Sequence, residues 1–136
     1  MKFWDTSAIL PLLVDEVFSA ELKKIYQKDP YLIVWWGTKI EAVSALSRLE
    51  RDSEINVNQI IHTLDAFSRT WMEVEPADEI RELSIRLLRV HNLRAADSLQ
   101  LAAAILASNR RPSSISFVSR DERLSYAAEK EGFTVL

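Results

Sequence analysis

The chain has 136 residues, of which 48% are hydrophobic and 27% charged, and its formal net charge at pH 7 is -3. This size and composition predict one globular domain over residues 1–136, and the acidic balance argues against a general basic surface while leaving room for a local basic rim. The absence of cysteine excludes disulfides and thiolate metal sites. The sequence shows neither a secretory signal pattern nor an apolar run of bilayer-spanning length, so we expect a cytoplasmic protein without membrane attachment.

The predicted elements alternate between strand and helix along the chain. Apolar and β-branched runs predict strands at 2–5, 31–35, 71–74, 115–118 and 133–136. Apolar residues at helical spacing predict helices at 8–14, 17–28, 38–51, 57–68, 77–91, 93–108 and 121–131. This alternation predicts a three-layer α/β/α fold with a central, mostly parallel sheet of four to five strands, covered by helices on both faces.

Four acidic residues lie at the boundaries of these elements. Asp5 and Asp121 follow predicted strands, and Glu41 lies in the first turn of the helix after the YLIVW strand. The carboxyl ends of parallel strands share one edge of a sheet with the following helix N-termini, so these three acids are predicted at that edge. Asp97 lies in the first turn of the most apolar helix, but no strand immediately before it fixes its position.

Each acid also has a purely structural explanation. Asp5 and Asp121 are suited to cap the helices that follow them. The spacing from Thr38 to Glu41 matches a capping box, in which the two side chains satisfy exposed N–H groups at the helix start. Asp97 is harder to explain in this way, because its neighbours are alanines and leucines and a carboxylate in apolar surroundings needs a partner or a metal.

Together, the four acids point to a specific kind of site. Carboxylates without cysteine or clustered histidine form an all-oxygen site, which suits Mg²⁺ or Mn²⁺ rather than zinc. Without a cation the acids repel one another and some take up protons. With a cation, such a site activates water and orients a phosphodiester for hydrolysis.

The motifs around these acids also occur in a recognisable order. Along the chain they are Asp5-Thr6-Ser7, Thr38-x-x-Glu41, Leu93-Arg94-Ala95-Ala96-Asp97 and Val118-Ser119-Arg120-Asp121. In this order they resemble the PIN-domain nucleases, and in particular the VapC toxins of prokaryotic type II toxin–antitoxin pairs. The closing motifs Arg123-Leu124-x-x-Ala127-Ala128 and Gly132-Phe133-Thr134-Val135 are similar to the final helix and strand of that family.

The resemblance assigns roles to individual residues. It implies that the catalytic, metal-binding acids are Asp5, Glu41, Asp97 and Asp121. The hydroxyl neighbours that it implies as supports for carboxylates or water are Ser7 and Ser119. It further implies an endoribonuclease that depends on Mg²⁺ or Mn²⁺, forms a homodimer and is inhibited by a cognate VapB-like antitoxin.

Other interpretations stay open or are disfavoured by particular residues. A haloacid-dehalogenase-type phosphatase needs a second acid where this chain has Ser7, and a receiver domain needs paired acids near the first strand. A non-catalytic PIN-like module that binds RNA or a partner protein remains the alternative, since acids persist as helix caps. Candidate RNA contacts are Lys39, Arg94 and Arg120, for which a solvated surface role is the competing explanation.

Overall fold

The computed structural model describes residues Met1–Leu136. The strands are β1 (Lys2–Trp4), β2 (Leu32–Trp35), β3 (Met72–Val74), β4 (Ser116–Val118) and β5 (Thr134–Val135). The helices are α1 (Thr6–Leu13), α2 (Ser19–Lys28), α3 (Thr38–Ser53), α4 (Asn58–Phe67), α5 (Asp78–Val90), α6 (Ala95–Ala107) and α7 (Glu122–Lys130). Every predicted element is present, with its ends shifted by two residues or fewer, and a short 3-10 turn at Pro112–Ser114 was not predicted.

The strands form one five-stranded sheet in the order β3-β2-β1-β4-β5. All neighbouring strands are parallel, with Phe3 opposite Ile33 on one side and opposite Phe117 on the other. The predicted parallel α/β fold is therefore confirmed. From β1 the chain builds outward to β3 and then returns to place β4 on the opposite side of β1. The carboxyl ends of β1 and β4 thus flank the point where strand order reverses, which is where open α/β folds bind ligands.

Successive strand residues face opposite layers of helices. On one face, Phe3 and Phe117 stack with their ring centroids 5.4 Å apart and pack with α5, α6 and α7. On the other face, Trp4 and Val118 pack with the first four helices. Burial on both faces explains why β2 is apolar throughout rather than alternating with polar residues. No helix has both the length and the apolar character that crossing a membrane requires.

A close backbone approach directs the start of α3 toward the sheet edge. Gly37 follows β2, and a Cβ atom at this position would lie 2.5 Å from Trp35 Nε1. Only glycine leaves room for the Trp35 indole here. The turn at Gly37 therefore places the first turn of α3, which carries Glu41, beside the carboxyl end of β2.

Candidate active site

Asp5 lies at the switch point of the sheet and is almost completely buried. Its side chain follows β1 directly, and the residue is 4% exposed. The Asp5 N–H donates to the Val118 carbonyl over 3.1 Å, which ties the ends of β1 and β4 together. Asp5 occupies the N-cap position of α1, but its carboxylate makes no capping hydrogen bond. The nearby Ala8 N–H lowers the pKa of this carboxyl, so the start of α1 contributes to its surroundings without a full capping hydrogen bond.

Burial leaves the Asp5 carboxyl in an unfavourable setting for a negative charge. Desolvation is the main cause that raises its pKa to about 7, opposed by the hydrogen bond from Ser7, while the charge of nearby Asp121 raises it as well. None of the eight ion pairs of the chain includes Asp5. A buried carboxylate without a cationic partner is costly unless it is protonated or meets a cation.

Two serines fasten the ends of β1 and β4 around this carboxylate. Ser7 Oγ donates to Asp5 Oδ1 over 2.7 Å and accepts the Arg120 N–H over 2.8 Å. Ser119 Oγ accepts the Asp121 N–H over 3.1 Å and lies 3.3 Å from Ser7 Oγ. Because the single hydroxyl proton of Ser7 is directed to Asp5, the hydrogen between the two hydroxyls comes from Ser119. The serines thus orient Asp5 and fix the backbone before Asp121.

Glu41 is held by a polar network rather than by a capping box. Its carboxylate accepts from Thr6 Oγ1 at 2.9 Å and from Gln100 Nε2 at 3.3 Å, and Gln100 Nε2 also reaches the hydroxyls of Thr6 and Thr38, each at 3.0 Å. The N-cap of α3 is Gly37 and no side chain caps this helix, so the capping-box interpretation is wrong. Burial raises the pKa of Glu41, and the charge of Asp97 also contributes.

Gln100 was missed by the sequence reasoning although a signal was present. It is a single polar side chain inside the apolar run of α6, and it is 2% exposed. Such a residue needs hydrogen-bond partners wherever it is buried. Its partners are the residues at the starts of α1 and α3, so it couples α6 to Glu41.

Asp97 and Asp121 are only partly buried, and each carboxylate accepts a backbone N–H at the start of its own helix. Asp97 Oδ2 accepts the Arg94 N–H over 3.1 Å at the start of α6, so the predicted apolar enclosure of Asp97 is wrong. The first turn of α6 reaches the surface, and burial begins at Ser98. Asp121 Oδ1 accepts the Leu124 N–H over 2.8 Å and caps α7. Here the capping explanation holds, alongside the electrostatic effect of Asp121 on Asp5.

The structure brings all four predicted acids to one edge of the sheet as two coupled pairs. Asp121 acts on the pKa of Asp5, and Asp97 acts on that of Glu41. A cleft of about 450 Å³ opens here, and its lining is entirely polar: Arg94, Asp97, Asp121, Glu122 and Arg123. No three acidic or imidazole side chains of the chain converge into one compact ligand group. The oxygen donors fit Mg²⁺, which binds proteins through one or two carboxylates together with water and phosphate oxygens.

The basic residues predicted near the acids have different surroundings. Lys39 pairs with Asp65 at 2.8 Å, on the side of α3 that faces α4. The Arg120 side chain is 14% exposed, and its guanidinium donates to the Leu136 carbonyl and lies 3.1 Å from Glu21. Of these three cations, Arg94 lines the acidic cleft, and Arg123 joins it there.

Comparison with solved structures shows that the fold is shared. A "Toxin-antitoxin complex from Klebsiella pneumoniae" matches with a TM-score of 0.67 and 19% identity, over 92% of this chain and 91% of that one. PAE2754 from Pyrobaculum aerophilum matches with a TM-score of 0.66 and 19% identity, over 98% of this chain and 82% of that one. FitAcB from Neisseria gonorrhoeae matches with a TM-score of 0.60 and 17% identity, over 100% of this chain and 96% of that one.

Sequence comparison identifies the family. None of the curated proteins compared with the chain matches it significantly. The model of the PIN domain family matches residues 2–130, which is nearly the whole chain and includes all four acids at the carboxyl edge of the sheet. The chain therefore belongs to the PIN domain family.

Proposed function

We propose that this chain is a metal-dependent endoribonuclease that hydrolyses phosphodiester bonds in RNA, and that it is the VapC-like toxin of a type II toxin–antitoxin pair. One observation carries the enzymatic part of the proposal. Asp5, a buried carboxylate without a cationic partner, lies beside Asp121 at the switch point of the sheet, where α/β folds bind ligands. A divalent cation would compensate the charge that this position otherwise disfavours.

The residues at the carboxyl edge of the sheet have different roles in the proposed reaction. Asp5 and Asp121, with Glu41 and Asp97, would hold Mg²⁺ or Mn²⁺. When bound, the cation activates water and stabilises charge on the phosphodiester. Ser7 and the pair Thr6–Gln100 keep the Asp5 and Glu41 carboxylates oriented through the hydrogen bonds described above.

The cleft also presents cations to the substrate. Arg94 and Arg123 line it and form no ion pair with any carboxylate of the chain, although Asp97, Asp121 and Glu122 line the same cleft. Guanidinium groups match phosphate oxygens in a planar, two-pronged geometry. These side chains therefore bind the phosphates on either side of the bond that is cut.

The proposed partner is an antitoxin protein of the VapB type. The structural likeness to a chain of the toxin–antitoxin complex from Klebsiella pneumoniae supports this partner. An arginine of the antitoxin would pair with the carboxylates of the cleft, since guanidinium and carboxylate groups match geometrically. It would then compete with the metal and with RNA for the same groups.

We also propose a homodimer. Two exposed apolar side chains three residues apart share one side of α5, Ile85 at 57% exposure and Leu88 at 38%. Contiguous exposed apolar surface is typical of protein interfaces. Sedimentation of the purified protein tests this arrangement, and a monomer at all accessible concentrations would contradict it.

A non-catalytic PIN-like module is the second candidate. It is favoured by the capping roles of Asp97 and Asp121, which are sufficient structural reasons for both acids. The two candidates differ in their need for a metal, because a nuclease depends on it and a binding module does not.

Cleavage of single-stranded RNA by the purified protein tests the proposal. We expect cleavage with Mn²⁺, none in excess EDTA, and a loss of at least about 100-fold in Asp121→Asn, because one oxygen ligand of the cation is replaced by a neutral amide. Asn still caps α7, so the fold is retained. Asp15→Asn, an exposed acid outside the cleft, is the matched control. Cleavage that continues in EDTA would refute the metal dependence, and RNA binding without cleavage in Mn²⁺ would refute the nuclease.

A further inference from the structure

A second cavity continues from the acidic cleft along α7. It has a volume of about 480 Å³ and shares Glu122 and Arg123 with the cleft. Its far wall contains Tyr126 and the segment that follows α5, including His91 and Asn92. The two cavities therefore adjoin at the first turn of α7, and we call them together the groove.

The wall of this second cavity is held in place by charged hydrogen bonds. His91 is 10% exposed in its side chain and lies 2.7 Å from Glu131, which also binds both terminal nitrogens of Arg86, at 3.1 and 2.8 Å. This cluster joins the end of α5 to the end of α7. The cavity thus has a fixed wall rather than a chance arrangement of surface side chains.

Exposed side chains of three kinds lie along this groove: the acid Glu122, the cation Arg123 and the aromatic Tyr126. Tyr126 is 61% exposed, and Lys130 Nζ lies 5.2 Å from the centre of its ring. Neither Arg123 nor Lys130 takes part in an ion pair of the chain. An exposed aromatic ring beside unpaired cations is the combination that single-stranded nucleic acid binds, through base stacking and phosphate contacts.

We propose that the second cavity binds one nucleotide of a single-stranded RNA whose neighbouring phosphodiester lies in the acidic cleft. The base stacks on the face of Tyr126 that Lys130 does not cover, and Arg123 binds the phosphate between the two cavities. Tyr126 follows Asp121 by five residues, which is about 7.5 Å along a helix axis. The stacked base is therefore next to the cleft and not remote from it. This inference rests on the proposed function, since it names a subsite of the same substrate.

The test measures binding separately from cleavage. Fluorescence anisotropy of a labelled single-stranded RNA is recorded in EDTA for the unaltered protein and for Tyr126→Ala, Tyr126→Phe and Tyr31→Ala. Tyr31 is 67% exposed and precedes β2 at the opposite edge of the sheet, so Tyr31→Ala is a control of the same residue type and exposure. We expect Tyr126→Ala to weaken binding about fivefold or more, since stacking on one aromatic ring contributes at least that factor. Tyr126→Phe, which keeps the stacking face, should stay within about twofold of the unaltered protein, as should Tyr31→Ala.

The outcomes separate the subsite from the nuclease. If the protein cleaves RNA with Mn²⁺ but Tyr126→Ala binds RNA as tightly as the unaltered protein, the subsite is refuted and the nuclease stands. If Tyr126 is needed for binding but no cleavage occurs, the subsite stands and the nuclease is refuted. If the unaltered protein does not bind the RNA, or Tyr126→Ala changes the oligomeric state and leaves RNA binding intact, the proposal of a nucleotide subsite is wrong.

Discussion

Two aspartates at opposite edges of the sheet have opposite electrostatic surroundings. Asp29 precedes β2 at the amino edge, where Lys2 Nζ lies 2.7 Å from its carboxylate and the amino group of Met1 also binds it. These partners lower the pKa of Asp29 to about 2, whereas burial raises that of Asp5 at the carboxyl edge to about 7. The chain supplies Asp29 with its own cations and leaves Asp5 without one. The fold therefore uses one acid for stability and holds the other in an arrangement that an external cation would complete.

Activity provides the largest expected contrast between the two acids. Asp5→Asn should reduce metal-dependent RNA cleavage by at least about 100-fold, because a neutral amide binds the cation weakly. Asp29→Asn should leave cleavage within about twofold, since its ion pairs lie at the other edge of the sheet. Initial rates with saturating Mn²⁺ measure both. Equal rates for the two variants would show that Asp5 has no catalytic part.

The next largest effect is expected on stability, from the loss of the hydrogen bonds that Gln100 donates to the network around Glu41. Gln100→Met keeps the side-chain volume but removes the donor to Thr6, Thr38 and Glu41. We expect the free energy of unfolding to fall by about 2 kcal/mol, because buried oxygens lose their hydrogen-bond partner. Urea unfolding measures this change, with Gln59→Met on exposed α4 as the control. A Gln100→Met variant as stable as the control would show that the network is dispensable.

A smaller effect on stability is expected at Glu131, whose carboxylate is paired with cations of the chain itself. Glu131 is paired with Arg86 and His91, and these hydrogen bonds and charges lower its pKa. Because the folded pKa is lowered, the contribution of Glu131 is present above its unfolded value and is lost as the pH falls through the folded one. Glu131→Gln should therefore lower the free energy of unfolding by about 1 kcal/mol at pH 7 and change it little in acid. Glu129→Gln, exposed on the same helix, is the control, and a cost that persists unchanged in acid would contradict this account.

The sequence predicted the parts of the site that follow from strand order. Asp5 and Asp121 follow apolar strands, so a parallel sheet brings them to one edge whatever their side-chain partners are. The five-stranded sheet followed from the alternation of apolar runs and helical periodicity in the same way.

The remaining details depend on packing that local patterns do not contain. The spacing of Thr38 and Glu41 matches a capping box, yet the N-cap of α3 is Gly37, one residue earlier. The close approach of the Trp35 indole to Gly37 accompanies this helix start. The side chains of Thr38 and Glu41 instead accept hydrogen bonds from Gln100. Asp97 was predicted to be enclosed because its neighbours in sequence are apolar. Those neighbours turn toward the core only from Ser98 onward, which cannot be deduced without knowing where α6 leaves the surface.

The central claim is that Asp5 destabilises the metal-free fold when it is ionised and is relieved by a bound cation. Its folded pKa of about 7 exceeds the unfolded value of 3.8, so the stability it contributes is complete below the unfolded value and is lost as the pH rises through the folded one.

Urea unfolding from pH 4 to pH 8, in EDTA and with Mn²⁺, tests this claim most directly in the unaltered protein and in Asp5→Asn. In EDTA, we expect the free energy of unfolding of Asp5→Asn to rise by about 4 kcal/mol relative to that of the unaltered protein as the pH rises from 4 to 8. Each unit of pKa shift corresponds to about 1.4 kcal/mol of this difference. At pH 7, Mn²⁺ should stabilise the unaltered protein by about 3 kcal/mol at 100 times its dissociation constant and have little effect on the variant. If the difference in free energy of unfolding between the two proteins does not change with pH, and Mn²⁺ stabilises both equally, then Asp5 neither destabilises the metal-free fold nor binds the cation.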